Sequence, residues 1–273
     1  MLQVTKAMEL ISSIKMRKAQ EAAMRSRRYA FDSWKIVLKV SAHDKSFQKN
    51  YVKERQGRTL ALVITSSKGL AGSYNSDVFK KVIEVTEKYG QENIDFITMG
   101  DKGARFIRKF GGNIVADFPL GQEIFFSRYS PIVYFAWKSF ISGEYARFIT
   151  VHTHFESISK IAATSLQILP LDVQRLNDFG EGEDEKGPEY TMEPEAEELS
   201  RAIVRQIVRA LTYQIILESS AAEHASRMVA MKNASDAAKD LKDDFEFTFN
   251  QLRQASITQE LAEISTGANA IEQ

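Results

Sequence analysis

The chain has 273 residues, 44% of them hydrophobic and 26% charged, ordinary proportions for one or two globular domains, and its 36 Lys and Arg balance 36 Asp and Glu. It contains no cysteine, which excludes a disulfide framework, a thiolate metal site and thiol redox chemistry. No run of about 18 apolar residues occurs, and the start MLQVTKAMEL lacks the basic-then-apolar plan of a signal peptide, so no segment is expected to span or enter a membrane.

Helix breakers divide the chain. Of its 14 glycines and 5 prolines, all but Gly267 fall between Gly57 and Pro194. Helix interiors disfavour Gly by about 1 and Pro by about 3 kcal/mol, so the breaker-free flanks 1–56 and 195–266 predict two long helices framing a compact domain. Wholly helical flanks would reach roughly 80 and 110 Å at about 1.5 Å per residue, longer than a globular domain is wide. The first helix is expected from about Val4 to Ala42. Val4, Met8 and Ile11 begin its apolar stripe, which basic residues interrupt from Lys15 onward in KMRKAQ and at Arg25, Arg27 and Arg28. More than one face of this helix must therefore meet water or acidic partners. The following segment, from His43 to Gly57, is too polar to assign.

The middle alternates β-rich apolar runs with helical stretches, the pattern of a Rossmann-like open α/β sheet. Strands are expected at 59–67, 95–100, 113–118, 145–155 and 161–171, and helices at about Ser76–Tyr89, Asp101–Phe110 and Ser127–Ile141. Residues 177–193 read as an acidic surface loop. Chemistry-bearing patterns are sparse. The run SSKGLAGSYN lies between a strand and a helix, where glycine-rich loops hold phosphate, but Lys68 precedes the glycines and Gly69 and Gly72 do not fit a dinucleotide loop. A tight turn is the better account. His152 and His154 share one face of a strand and could ligate a metal, yet no third ligand is evident, and two histidines on a half-exposed strand suffice. His43 and His224 look isolated. No catalytic, cofactor or metal site is expected.

The last helix is strongly periodic. Leu199, Ile203, Ile207, Leu211 and Ile215 repeat every four residues, and Leu241, Phe245, Phe249 and Leu252, then Ile257, Leu261 and Ile264, recur every three or four. Between these blocks Ala221, Ala222, Ala225, Ala234, Ala237 and Ala238 would let a partner helix come close, with Ala19, Ala22 and Ala23 as the matching small surface. Pro194 suits the first turn, Glu195, Glu197 and Glu198 suit the positive end of the helix dipole, and Gly267 is a natural stop. Residues 1–56 carry 13 basic against 5 acidic residues, net +8, and residues 195–273 carry 8 against 13, net −5. Unlike charge of that size predicts an antiparallel coiled coil closed within one chain. The expected segments are an N-terminal helix 1–56, an α/β domain 57–176, the acidic loop 177–193 and a C-terminal helix 194–273.

Four stretches, in order, resemble the gamma subunit of F-type ATP synthases: TKAMELISSIKMRKAQ, SSKGLAGSYNSDVFKK, SRMVAMKNASDAAKDL and RQASITQELAEISTGA. The similarity covers nearly the whole chain. It implies the same architecture and a non-catalytic central shaft that couples rotation of the membrane c-ring to ATP synthesis or hydrolysis. The implied partners are three α and three β subunits around the coiled coil, and the epsilon subunit and c-ring at the foot, with no nucleic acid. Carried over by motif, Met8 and Arg227 fall where the two helices face β, Gln254, Thr258 and Glu260 match the upper contact, and Arg25, Arg27 and Arg28 suit acidic β loops. Arg227 and Glu260 are expected to make charge-assisted bonds that form and break with rotation, against a plain alternative of surface pairing.

Two departures qualify the resemblance. Members carry about four to five more helical turns before the TKAM motif, so the upper C-terminal helix is expected to be partly unpaired. The loop GLAGSYN lacks the cysteine and extra glycine of many members. Without the cysteine-bearing insertion of chloroplast members, redox control is not expected, and a peripheral place on the cytoplasmic face of a bacterial plasma membrane is. The rivals are a coiled-coil module that docks an acidic partner or nucleic acid, disfavoured by few interleaved aromatics, and a phosphate-handling enzyme using residues Lys68 to Asn75.

Overall fold

A computed structural model describes residues 2–41, 44, 46–121, 124–172 and 196–271. The expected acidic loop, Pro194, Glu195 and His43 lie outside the described residues. Helix α1 spans Leu2–Ser41 and helix α5 spans Ala196–Ile271, 40 and 76 residues long. Glu197 and Glu198 occupy the first turn of α5. Gly267 does not stop this helix, which continues to Ile271; a single glycine costs about 1 kcal/mol, too little to end a helix of this length by itself.

Between them lie β1 (Thr59–Ile64), α2 (Tyr74–Tyr89), β2 (Ile94–Met99), α3 (Asp101–Phe110), β3 (Asn113–Phe118), α4 (Phe126–Ile141), β4 (Arg147–Ser157) and β5 (Lys160–Leu169). The sheet order is β3-β2-β1-β4-β5, with β1 to β4 parallel where they pair and β5 antiparallel to β4. Every residue of β1 and β2 is buried, as strands covered on both faces require. Edge strand β3 instead alternates between exposed and half-buried residues. Gly100, at φ +94°, follows β2 where any Cβ would stand 2.2 Å from the Thr65 carbonyl oxygen, so only glycine lets this turn close against the end of β1.

The two sheet faces bury different partners. Ala61 and Val63 pack with Val78, Val82, Phe96, Ile107, Ile149 and Val151, the α2 and α3 side. Leu60, Leu62 and Ile64 pack with α4 residues such as Ile132 and Phe140, and also with Trp34 and Val37 of α1 and Val204, Ile207 and Val208 of α5. The long helices thus supply part of the layer that covers this face. The expected boundaries at 56 and 194 cut through that core. Residues 43–57, too polar to assign from pattern, contain a π-helical turn at Gln48–Val52 that buries Phe47 and Tyr51 in the same cluster. Two aromatics among many polar residues give no period, yet they anchor the exit of α1.

Farther along α5, Ala221, Ala222 and Ala225 are fully buried against Met16 and Ala19 of α1 and against Tyr74 and Phe155 of the domain. The helices run antiparallel, as expected. Unlike charge contributes little to their pairing: among the described residues, Arg27–Glu218 is the only ion pair between α1 and α5. Ala234 and Ala237 are exposed and Ala238 half-buried, and every residue from Lys239 to Ile264 is exposed. The close pairing is therefore confined to the lower half of α5. Replacing Ala222 with Leu should lower stability by about 1–3 kcal/mol through overpacking, whereas Ala237→Leu should stay within about 0.5 kcal/mol. Urea denaturation of the full chain measures both, and equal effects would contradict the packing described.

Candidate functional site on the helix pair

Three stretches of the helix pair carry the polar and exposed groups through which it can act. At the neck, where α1 and α5 cross the β4–β5 hairpin, Glu218 accepts hydrogen bonds from His154 Nδ1 at 2.7 Å, Gln214 Nε2 at 2.8 Å and Arg27 Nη2 at 3.2 Å. One carboxylate thereby ties both helices to β4. Burial acts to raise its pKa, but the bonds from His154 and Gln214 and the charges of His154 and Arg27 outweigh burial and hold it below the ordinary 4.5. The bond to Glu218 raises the His154 pKa above 6.5 against the cost of burial. His152 on the same strand is buried, not half-exposed as expected; burial pushes its pKa to about 4 and its Nδ1 lies 3.1 Å from Thr150 Oγ1. Among the described residues, no group of three His, Cys, Asp or Glu is placed to hold a metal ion.

One level up, Arg227 is only 8% exposed. Its Nη2 donates to Glu223 Oε1 at 2.7 Å and its Nε to the Gly69 carbonyl at 3.3 Å, fastening the turn after β1 to α5. His224 is not isolated: its Nδ1 lies 3.3 Å from Arg227 Nη1, and burial together with the charges of Arg227 and Lys15 pushes its pKa to about 4. Burial raises the Glu223 pKa against the attraction of Arg227. Met8, half-buried, and Arg227 line one cleft of about 460 Å3 with Lys15 and Lys68. Two residues 219 positions apart that were singled out by motif thus stand on the same patch, beside two lysines that lie in the same motifs but were not expected at this contact.

The glycine-bearing turn is closed on itself. Ser66 N donates to Asn75 Oδ1 at 3.0 Å, Asn75 Nδ2 donates to Ser66 Oγ at 2.8 Å, and Ser66 Oγ donates to the Lys68 carbonyl at 2.6 Å. Those groups are engaged with one another, which is the geometry of a strand-to-helix turn. Lys68 and Leu70 project from it exposed, Leu70 with φ +64°.

Arg25 and Arg28 are exposed, while Arg27, though 59% exposed, is tethered to Glu218. Gln254, Thr258 and Glu260 all lie on the bare upper part of α5, where Thr258 Oγ1 bonds only back to the Gln254 carbonyl, at 2.9 Å. Sequence reasoning missed Glu218: it stands 64 residues from His154 and 191 from Arg27, and no local pattern joins them.

The neck cluster predicts a pH signature. The raised His154 pKa gives stability that is full below the ordinary 6.5 and lost as pH rises through the folded value; the lowered Glu218 pKa gives stability that is full above 4.5 and lost on acidification through its folded value. The gap in urea midpoint between wild type and His154→Gln should therefore be widest from pH 4.5 to 6.5 and narrow on either side. A gap independent of pH would show that the charges of the pair contribute nothing to stability.

Comparison with known proteins agrees with this architecture. The chain matches the ATP synthase family over residues 1–271. It is 34% identical over 281 aligned positions to the ATP synthase gamma chain of Staphylococcus saprophyticus, covering 100% of this chain and 94% of that one. It is 32% identical over 277 to that of Cytophaga hutchinsonii, covering 98% and 93%. Among solved structures it is similar to a chain of the Tetrahymena thermophila mitochondrial ATP synthase central stalk and c-ring, with TM-score 0.67, 25% identity and coverage of 85% and 99%. It also shares the fold of a chain in the Euglena gracilis mitochondrial ATP synthase, with TM-score 0.58, 16% identity and coverage of 99% and 94%. A long helix pair rooted in a five-stranded α/β foot, in a sequence matched from end to end, places the chain in the ATP synthase gamma-chain family, as the rotor shaft of the central stalk.

Proposed function

We propose that the chain is the non-catalytic axle of a proton-translocating ATP synthase on the cytoplasmic face of a bacterial plasma membrane. In this reading its upper helix turns inside a ring of three α and three β subunits, and its foot stands with epsilon on the c-ring. The observation that carries this is the bare end of α5. Leu241, Phe245, Phe249, Leu252, Ile257, Leu261 and Ile264 repeat along it and are each between 50% and 71% exposed. With successive positions about 100° apart, the first four share one face of the helix and the last three another, so apolar surface on two sides of one rod needs a surrounding sleeve, and the axial cavity of a subunit ring provides one. The bacterial relatives support the cellular setting, and the absence of a helix long and apolar enough to cross a membrane among the described residues fits a peripheral subunit.

The mechanism follows from symmetry. An asymmetric shaft inside a threefold ring presents a different face to each β subunit, so each orientation favours a different nucleotide state, and torque is exchanged for binding free energy without chemistry on the shaft. Contacts that make and break as the shaft turns must be weak singly. Exposed Arg25 and Arg28, with Lys15 and Lys68 near Met8, suit acidic loops of β, each contact worth about 0 to 1 kcal/mol. Gln254, Thr258 and Glu260 serve the upper contact. Arg227 acts from inside, holding Gly69 so that Lys68 and Leu70 are presented in a fixed place, while Arg27 braces the neck.

Mixed with α and β subunits of its source, one copy of this chain should assemble per three of each and confer ATP turnover that the chain lacks alone; assembly without it at equal turnover would remove the rotor reading. In that complex, Arg25→Glu with Arg28→Glu should reduce turnover several-fold and flatten its dependence on salt. Gln254→Ala should lower turnover without affecting assembly. Met8→Lys should lower the number of protons pumped per ATP, and an unchanged pumping ratio would take Met8 out of the contact.

A further inference from the structure

A second cleft, of about 370 Å3, opens where the helix pair crosses the β4–β5 hairpin. Its size falls within the range of roughly 300–1,000 Å3 typical of small-molecule sites. Phe31 and Trp34 of α1, Leu211 and Ile215 of α5, and Leu166 of β5 make much of the wall apolar. One side is the face of the hairpin on which His152 pairs with Thr164 and His154 with Ala162. Trp34 Nε1 and Gln214 Oε1 are closed off from solvent and take no part. The chemistry the cleft offers is set by Arg27, His152, His154 and Glu218.

Glu218 engages only part of its cationic partners. It accepts from Arg27 Nη2 and His154 Nδ1, and among the described residues Arg27 Nε and Nη1 and His154 Nε2 have no acceptor. Neither side chain is sealed from solvent: they are 59% and 39% exposed. The charged or titratable groups facing His154 are Glu218 of α5, Arg27 of α1, and Glu156 and His152 of its own strand. The bond to Glu218 raises the His154 pKa above 6.5, helped by Glu156 and opposed by burial and Arg27. With His154 protonated, two cations against one carboxylate leave a single positive charge at the rim. An amine would be repelled there, and a dianion would exceed the charge available.

His152 adds an acceptor. The ring is only 3% exposed, and burial pushes its pKa to about 4, so it is neutral. Thr150 Oγ1 donates to the Leu166 carbonyl at 3.3 Å, so the proton in its 3.1 Å bond with His152 Nδ1 comes from the imidazole, and Nε2 is left with a bare lone pair. That nitrogen has no partner among the described residues and yet is not among the atoms closed off from solvent, so it opens into the cleft that the ring lines. Buried polar groups in folded proteins are nearly always paired. We propose that this cleft binds an amphipathic monocarboxylate with a flat aromatic body and a hydroxyl at its far end: the carboxylate meets Arg27 and His154, the body lies against Phe31, Leu211 and Ile215, and the hydroxyl donates to His152 Nε2. The two histidines, about 6.7 Å apart along the strand, set the span between the polar ends. Because the walls come from α1, α5 and the hairpin together, an occupant bridges the shaft and the foot at the neck, apart from the Met8 and Arg227 patch.

The test uses the full chain labelled with 15N-tryptophan, which carries two indole reporters, Trp34 of the cleft lining and Trp137 of the core, which does not line it. At about pH 6, 6-hydroxy-2-naphthoate should shift the Trp34 resonance saturably, with a midpoint below about 1 mM, and leave Trp137 in place. Its neutral amide should bind about tenfold more weakly, and 2-naphthoate, which lacks the hydroxyl, several-fold more weakly. Affinity for the acid should fall as pH rises from about 6 to about 8.5, because His154 loses its proton while the ligand keeps its charge. His154→Gln should bind weakly at both pH values and lose the dependence, and Ala162→Phe, which fills the cleft from its exposed rim and leaves Arg27, His154 and Glu218 in place, should abolish binding. No saturable shift of Trp34 up to about 1 mM, equal movement of both indoles, equal affinity for the acid and its amide, an affinity indifferent to pH, or undiminished binding in Ala162→Phe would each overturn the site.

Discussion

The constraint on which the rest of this molecule depends is a core shared between shaft and foot. Trp34 and Val37 from α1 and Val204, Ile207, Val208, Ile215 and Ile216 from α5 pack in one cluster with the β1 residues Leu60, Leu62 and Ile64. Interiors of this kind are close-packed and nearly incompressible, so the helices cannot turn relative to the sheet without opening the cluster. A rotor needs that property: torque entering at the foot is passed to the shaft through side chains already buried for folding. The Glu218 cluster adds direction to the same joint, since one carboxylate holds Arg27 of α1 and His154 of β4 at once.

Along α5 the packing changes with height. Near its start, branched and aromatic side chains are shared with the sheet; at Ala221, Ala222 and Ala225, small residues bring α1 close; from Lys239 to Ile264 nothing within the described chain covers it. Stiffness is thus greatest at the base and middle, where two helices share the load. The upper part is a single helix whose two exposed apolar blocks require partner surfaces. In the proposed function that gradient separates two tasks, with the lower part suited to transmitting force and the upper part to meeting other subunits.

Burial also sorts the basic residues of the shaft into different roles. Arg227 stands within a patch matched by motif, yet it is buried and engaged with Glu223 and Gly69, so its charge is used within the chain. Arg25 and Arg28 are exposed and free to meet an acidic partner, while Arg27 between them reaches Glu218. A run of like residues one turn long therefore includes a brace and two side chains turned to solvent, because successive helical positions point about 100° apart and only one of the three faces the sister helix.

Much of the architecture was legible in the sequence, for reasons of local physics. The exclusion of Gly and Pro from 1–56 and 195–266 set the two helices, and the β-rich runs set five strands to within a few residues, because backbone preference and side-chain period act over short stretches. The order of motifs pointed to the gamma-chain family. What only the tertiary structure decided is where charge and aromatic residues end up. Opposite net charges suggested an electrostatically paired coil, yet among the described residues one ion pair joins the helices, and alanine packing together with the apolar core around Trp34 and Ile215 does the rest, since formal charge counts say nothing about which side chains lie face to face. Phe47 and Tyr51 become core in a segment without period, Gly267 fails to end its helix, and Glu218 finds His154 across 64 residues. Each of these depends on groups distant in the chain being brought together, and a linear pattern carries no record of such distances.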